Sequence, residues 1–475
     1  MKKMQRGIVS FFMLIISVVL VAQDNSSCDI TFEIKGLGNS FVSLAYHLGD
    51  KQYIKDTIYT DVSGSASYHN DEALEEGLYM IVLPDNNLFE LIISDDQEFS
   101  ISCNRDDIIN TLKFDGSEEN TAFLVYRKKW LDFQEETTMY RQQINNLNDM
   151  DSIIMIQREL KDKEQEMIGY IEKTADKYKG SLLSAMLYSM LPVEVPDFDI
   201  PDNTSNKDSL RWVMGYSYNK NHFFDNIRLD DPRLIRTPIL QNKLETFFSS
   251  VIIQAPDSVI PEVRKVVRMA ESNPETFRYT LIFLFNHFSN SQIMGHDAII
   301  VMLADEYYLN GRADWVDDNF LENLKKDVDS IRPSLIGKKA VNITMETYSG
   351  LWKSLYDIDS EFTILYFWEP NCGHCKTVTP KLRDFYAKYR DKGVEIFAIC
   401  TQNNREEWEN YIAENNLNWI NGWDPMRISE YDNYYDVRAT PLIYILNREK
   451  EIIAKKLPEE NVADFIDSYR RLNQN

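Results

Sequence analysis

The sequence predicts a multidomain chain: a small N-terminal β-sandwich or barrel, a central all-α domain and a C-terminal α/β domain. Three observations carry this. Short alternating segments separated by turn residues fill 24–114. Long-chained residues at helical periodicity fill 115–330. Continuous apolar strands alternate with amphipathic helices over 331–475. At 475 residues the chain is too long for one ordinary core.

Ahead of these domains, residues 1–23 read as a secretory signal peptide. Lys2, Lys3 and Arg6 form a positive start, and Ile8 to Val21 is an apolar run broken only by Ser10 and Ser17. The run is shorter than a membrane span, and polar Gln23, Asp24 and Asn25 follow directly, which places the cut near Ala22 or Gln23. A retained N-terminal anchor is the other reading. Cys28 lies behind Asn25-Ser26-Ser27, too far downstream for a lipidated form. Export to the periplasm or cell envelope is therefore expected. The net charge of −24 excludes nucleic acid as a natural partner, since a surface this acidic repels phosphates.

In the β-region, Asp29-Ile-Thr-Phe-Glu-Ile alternates polar and apolar residues, and Tyr79 to Leu83 and Phe89 to Ile93 read as further strands. Gly36-Leu-Gly-Asn, Ser63-Gly-Ser and Pro84-Asp-Asn-Asn supply turns. Cys28 and Cys103 both fall here and could form a structural disulfide in an exported protein. In the helical region Trp130, Phe133, Met139 and Tyr140 recur at helical intervals, as do Ile153, Ile156, Leu160 and Met167; this aromatic content reads as core. His222, His287 and His296 are scattered, with no ligand spacing.

The last domain opens at Ile331-Arg-Pro. Phe362 to Trp368 reads as a strand buried on both faces. A helix from about Cys375 to Lys388 follows, with Val378, Leu382, Phe385 and Tyr389 as its apolar stripe. Then come a strand over 394–400, a helix over 405–414, a hairpin from Leu442 through Asn447-Arg-Glu-Lys to Ala454, and a closing helix over 459–472.

Between the first strand and its helix lies Cys372-Gly373-His374-Cys375. A helix N-terminus offers free N–H groups and a positive dipole end, which stabilise a thiolate. Cys372 is the expected nucleophile, and Cys375, one turn on, the resolving thiol. His374, with Gly373, is expected to tune the pair. Half a zinc site is the competing reading, but only Cys400 follows and no His comes after His374, so no metal or other cofactor is expected. Cys400 ends a strand and reads as an inert core thiol.

These residues resemble the thioredoxin-like proteins: Phe367-Trp368, the Cys372–Cys375 turn, Lys376 and Pro380 occur in the family's order and spacing, and Thr440-Pro441 is similar to its cis-proline loop. The resemblance covers about 331–475 and implies a thioredoxin fold, with Trp368, Thr440 and Pro441 contacting a substrate that adds as an extended strand. The insertion holding Arg405 to Trp423 resembles the exported, periplasmic disulfide-reductase branch, whereas the Gly-His dipeptide is similar to protein disulfide isomerases. Tyr366 stands where the family has a buried proton-transfer carboxylate; Glu369 is a candidate substitute but reads first as a solvated loop acid. Asn371 stands where many relatives have an aromatic residue. The front domains resemble those of exported thioredoxin-like proteins, which implies architecture only.

The expected function is thiol-disulfide exchange with protein or peptide thiols and disulfides, with a membrane electron donor or acceptor as a further partner. A thiol peroxidase on the same fold is the alternative enzyme, but Glu369 and Leu365 occupy the positions where such enzymes carry Thr or Ser and Pro. A binding protein whose front domains capture a partner is the third reading.

Overall fold

The computed structural model describes residues 27–473, so the export segment lies outside the described residues. Two compact units emerge. One runs up to Ile253 and includes Val263–Phe283; the other comprises Gln254–Glu262 and everything from Leu284 on.

The first unit begins with a sheet region and continues into helices. Its strands are β1 (Cys28–Lys35), β2 (Phe41–Leu48), β3 (Lys51–Tyr59), β4 (Ser65–Asn70), β5 (Gly77–Val82), β6 (Leu88–Ile93), β7 (Glu98–Asn104) and β8 (Lys113–Asp115). They form two four-stranded sheets, in the orders β4-β1-β7-β8 and β3-β2-β5-β6. Alternation explains the pairing of the sheets. Cys28, Ile30, Phe32 and Ile34 of β1 face the same core as Val42 and Leu44 of β2 and Ile81 of β5, while Thr31 and Glu33 face out.

Register also decides whether the two cysteines of this region can form a bridge. β1 and β7 run parallel, and Cys103 lies opposite Ile34, six residues along the strand from Cys28. At about 3.3 Å per residue that is roughly 20 Å. A disulfide needs Cα atoms within about 7 Å. Both thiols are free and buried.

The helices that follow include Glu118–Asn146 and Met150–Lys177, which start on polar caps: Ser117 accepts from the Asn120 N–H and Asp149 from that of Ser152. Lys129–Glu166 and Lys163–Glu136 ion pairs link them across their exposed faces.

The second unit is built on a seven-stranded sheet. Its strands are β9 (Thr344–Thr347), β10 (Trp352–Ser354), β11 (Phe362–Trp368), β12 (Val394–Cys400), β13 (Ile420–Trp423), β14 (Leu442–Leu446) and β15 (Ile452–Lys455), in the order β10-β9-β13-β12-β11-β14-β15. β11 is central, parallel to β12 and antiparallel to β14, and every residue in it is buried. Its period of two divides it between two cores: Phe362, Ile364, Tyr366 and Trp368 pack beneath the helix Gly373–Tyr389, while Leu365 and Phe367 pack on the other face with Tyr431 and Tyr435. This is why its sequence reads as an unbroken apolar run.

The unit reaches back beyond Ile331. The Lys455 ammonium, in β15, is buried, pairs with Asp297 and donates to the Ser334 carbonyl at 2.8 Å. Asp297 opens the helix Asp297–Leu303, and Asp327, on the helix Asp318–Ile331, meets Arg438 at 3.2 Å. These helices are thus part of the framework around the sheet. Among the described residues no helix is long and apolar enough to cross a membrane.

Candidate active site

β11 ends at Trp368 and the helix Gly373–Tyr389 begins five residues later. The helix starts two residues earlier than the sequence predicts, and this makes Cys372 its N-cap residue. The Cys375 N–H donates to the Cys372 sulfur at 3.2 Å. A sulfur thus fills the role usually taken by a Ser or Asp oxygen, at the positive end of the helix dipole. The Cys372 N–H is held by the Glu369 carbonyl at 3.2 Å, and its thiol donates to the Thr440 carbonyl at 3.4 Å.

The two thiols differ in environment. Partial burial works against the Cys372 thiolate, but hydrogen bonds from the Cys375 thiol and N–H, from the Thr440 side chain and from the His374 N–H outweigh it and hold its pKa below the ordinary thiol value. Cys375 is fully buried, and burial first, then its hydrogen bond to Cys372, pushes it up to about 12. The two thiols are thus shifted in opposite directions.

Thr440 and Pro441 are brought to this turn by the loop that enters β14, and their peptide bond is cis. Gly373 and His374 are exposed in the first turn of the helix, where His374 contributes its backbone N–H. Trp368 is not brought to the surface with them. It is fully buried between Tyr366, stacked on it at 6.3 Å, and Tyr411 at 5.1 Å, so its ring offers no face to a substrate. As the last residue of a central strand it is covered on both faces.

Tyr366 is also fully buried, and its hydroxyl lies 2.8 Å from that of Thr379, one turn beyond Cys375 in the active-site helix. Burial pushes the tyrosine pKa up, so a neutral hydroxyl pair occupies this position. Glu369 is half-buried and accepts from the Thr401 hydroxyl at 2.9 Å. The exposed Asn371 side chain donates to Glu407. Cys400 lies opposite Trp368 in the β11–β12 pair, and burial raises it to about 12.

Sequence reasoning missed the surroundings of this turn. A cavity of about 500 Å³ opens beside Thr440, lined by Glu369, Thr401, Arg427, Asp432, Asp436 and Arg438 among others. A second, of about 420 Å³, lies on the other flank of Pro441, along Val378, Leu457 and Pro458. Apart from Glu369 and Val378, which flank the turn in sequence, these residues come from distant segments between Thr401 and Pro458, and only the fold brings them to the turn. Among the described residues no three His, Cys, Asp or Glu side chains gather as a metal site requires.

The family model described as thioredoxin-like matches residues 360–452. Over 125 residues, 26% of this chain and 71% of the relative, the chain is 25% identical to the thiol-disulfide oxidoreductase ResA of Bacillus cereus. Over 98 residues, 21% of this chain and 50% of the relative, it is 30% identical to ResA of Oceanobacillus iheyensis. Among solved structures, a domain of a possible thiol-disulfide isomerase from Cytophaga hutchinsonii is 38% identical, with 30% of this chain covering 96% of that domain at a TM-score of 0.28. The C-terminal part of the chain is a thioredoxin-like domain, related at low identity to the thiol-disulfide oxidoreductases.

Proposed function

We propose that the protein is an exported thiol-disulfide oxidoreductase acting on disulfides of proteins in the periplasm or cell envelope, with Cys372 as nucleophile and Cys375 as resolving thiol. The observation that carries this is the Cys372 sulfur capping its own helix, 3.2 Å from the Cys375 N–H, beside a fully buried second thiol.

The chemistry follows from that asymmetry. The Cys372 thiolate attacks one sulfur of a substrate disulfide; the substrate S–S bond breaks, and the other substrate sulfur leaves as a thiolate. A Cys372–substrate disulfide remains. Cys375 loses its proton and attacks the Cys372 sulfur, which forms the Cys372–Cys375 bond and releases the second substrate thiolate. Two electrons pass from the enzyme dithiol to the substrate, and the reverse sequence oxidises a substrate dithiol. Thr440 receives the substrate backbone beside Pro441, and His374 tunes the stability of the thiolate. A membrane electron donor or acceptor resets the pair.

The test is to replace Cys375 with Ser and incubate the reduced protein with an envelope extract or a model disulfide protein. A mixed disulfide through Cys372 that accumulates and dissolves with dithiothreitol is the expected result. Turnover by Cys375→Ser at the wild-type rate overturns the assignment. The direction of exchange is read from the reduction potential: near or below about −270 mV for a reductase, and nearer −120 to −180 mV for an oxidase or isomerase.

A further inference from the structure

The cavity beside Cys372 carries a charge pattern that the exchange chemistry does not use. Among its lining residues are three acids, Glu369, Asp432 and Asp436, and two cations, Arg427 and Arg438, a net charge of −1. Both cations are already engaged. Arg427 pairs with Asp432, and Arg438 pairs with Asp436 and with Asp327 of the helix Asp318–Ile331. Lys456 also reaches Asp436, at 3.1 Å.

Glu369 is the exception. Its Oε1 accepts only a neutral hydroxyl, that of Thr401, at 2.9 Å. Its own carbonyl holds the Cys372 N–H, so its position relative to the reactive sulfur is fixed by backbone. The cavity wall also includes Thr440, whose carbonyl accepts from the Cys372 thiol. A substrate disulfide presented to Cys372 along Thr440 therefore brings a flanking side chain to this carboxylate. About 500 Å³ is ample for one long side chain. A half-buried carboxylate without a counter-charge favours a cationic group and repels an acidic one.

We propose that Glu369 is a specificity-determining residue: the site selects disulfides flanked by a Lys or Arg side chain, which enters this cavity and pairs with the Glu369 carboxylate. The inference rests on Cys372 being the attacking sulfur. The overall charge of −24 acts in the same direction at long range, by drawing cationic substrates toward the molecule.

The test uses the full mature chain and three oxidised peptides that differ only in having Lys, Gln or Glu beside the cystine, with kcat/KM measured at low and high salt. The expected order is Lys, then Gln, then Glu, with the Lys peptide favoured over the Glu peptide roughly three- to tenfold, as ion pairs of this exposure supply. The preference shrinks at high salt. Glu369→Gln brings the ratio to within about twofold of unity, and Glu369→Asp keeps part of it. Glu449→Gln, an exposed acid on the hairpin turn, leaves the preference intact. Equal rates for the three peptides with the wild type, or a ratio that survives Glu369→Gln, overturns the inference while leaving the exchange chemistry standing. A ratio lost equally in Glu449→Gln assigns the effect to overall charge and also overturns it. Exchange with none of the peptides fails the Cys372 assignment itself, and this inference with it.

Discussion

The N-terminal sandwich and the C-terminal sheet both bury cysteines, yet they give the same side chain opposite chemistry. Cys28 and Cys103 sit within strands, facing a core of Ile, Phe and Leu, and burial raises each to about 11. Cys400 at the end of β12 is raised to about 12. Cys372 is one strand away from Cys400 and only partly exposed, but it terminates a helix, and donors converge on its sulfur. The difference teaches that hydrogen-bond donors gathered at a helix start lower a thiol's pKa, whereas apolar packing alone raises it.

The sharpest way to break this comparison is Cys372→Ser. Exchange should fall by three orders of magnitude or more, on the order of what loss of a nucleophile costs, whereas Cys28→Ser and Cys103→Ser should leave turnover intact. An insulin-reduction assay with each variant checks it.

A second effect concerns how the C-terminal sheet is anchored. Lys455→Ala leaves Asp297 facing a buried site without its cation and should cost about 3–5 kcal/mol in urea melts. Replacing both partners with apolar residues should recover most of that loss. Equal losses in the single and double variants would contradict the pairing.

In the sandwich, Cys28→Ser places a hydroxyl in an apolar core and should cost about 1–3 kcal/mol. Because no bridge joins Cys28 to Cys103, reductant should not change the stability of the Cys372→Ser, Cys375→Ser protein. A shift in its melting midpoint on adding dithiothreitol would count against the β1–β7 register.

The smallest effect is in pH. The folded Cys372 pKa lies below the ordinary thiol value of about 8.5. Between those two values the unfolded chain holds a proton that the folded chain has lost, so stability rises with pH. The stability of the reduced wild type minus that of Cys372→Ser should therefore climb through this window, level off above the ordinary value, and vanish as pH falls through the folded pKa. A flat difference contradicts the depressed pKa.

How much of this was legible in the sequence varies with how local the cause is. The central strand announces itself because all seven residues from Phe362 to Trp368 are buried, and the turn announces itself because two cysteines at that spacing need a helix start. β13 does not, since Asn421-Gly422 at its centre disfavours a strand. It forms because β12 and β9 pair with it on both sides. Gly422 is required there: a Cβ would lie 2.6 Å from the Met345 sulfur and 2.8 Å from the Phe397 ring. Whether Cys28 and Cys103 meet was left open by the sequence, because it turns on register, which no residue type encodes. Trp368 was expected to contact substrate because the resemblance places it next to the site, but covering both faces of the sheet buries its ring. Glu369 read as a loop acid because Thr401 and Arg427, which define its cavity, arrive through the order of β11, β12 and β13.

The most direct test of the central claim is the pH dependence of alkylation, site by site, in the folded, fully reduced protein. Iodoacetamide labelling followed by peptide mass mapping gives a rate for each of the five cysteines. Cys372 alone should react readily, with a midpoint below the ordinary thiol value, while Cys28, Cys103, Cys375 and Cys400 label only after unfolding. A Cys372 midpoint at or above about 8.5, or labelling of Cys375 ahead of Cys372, would contradict it.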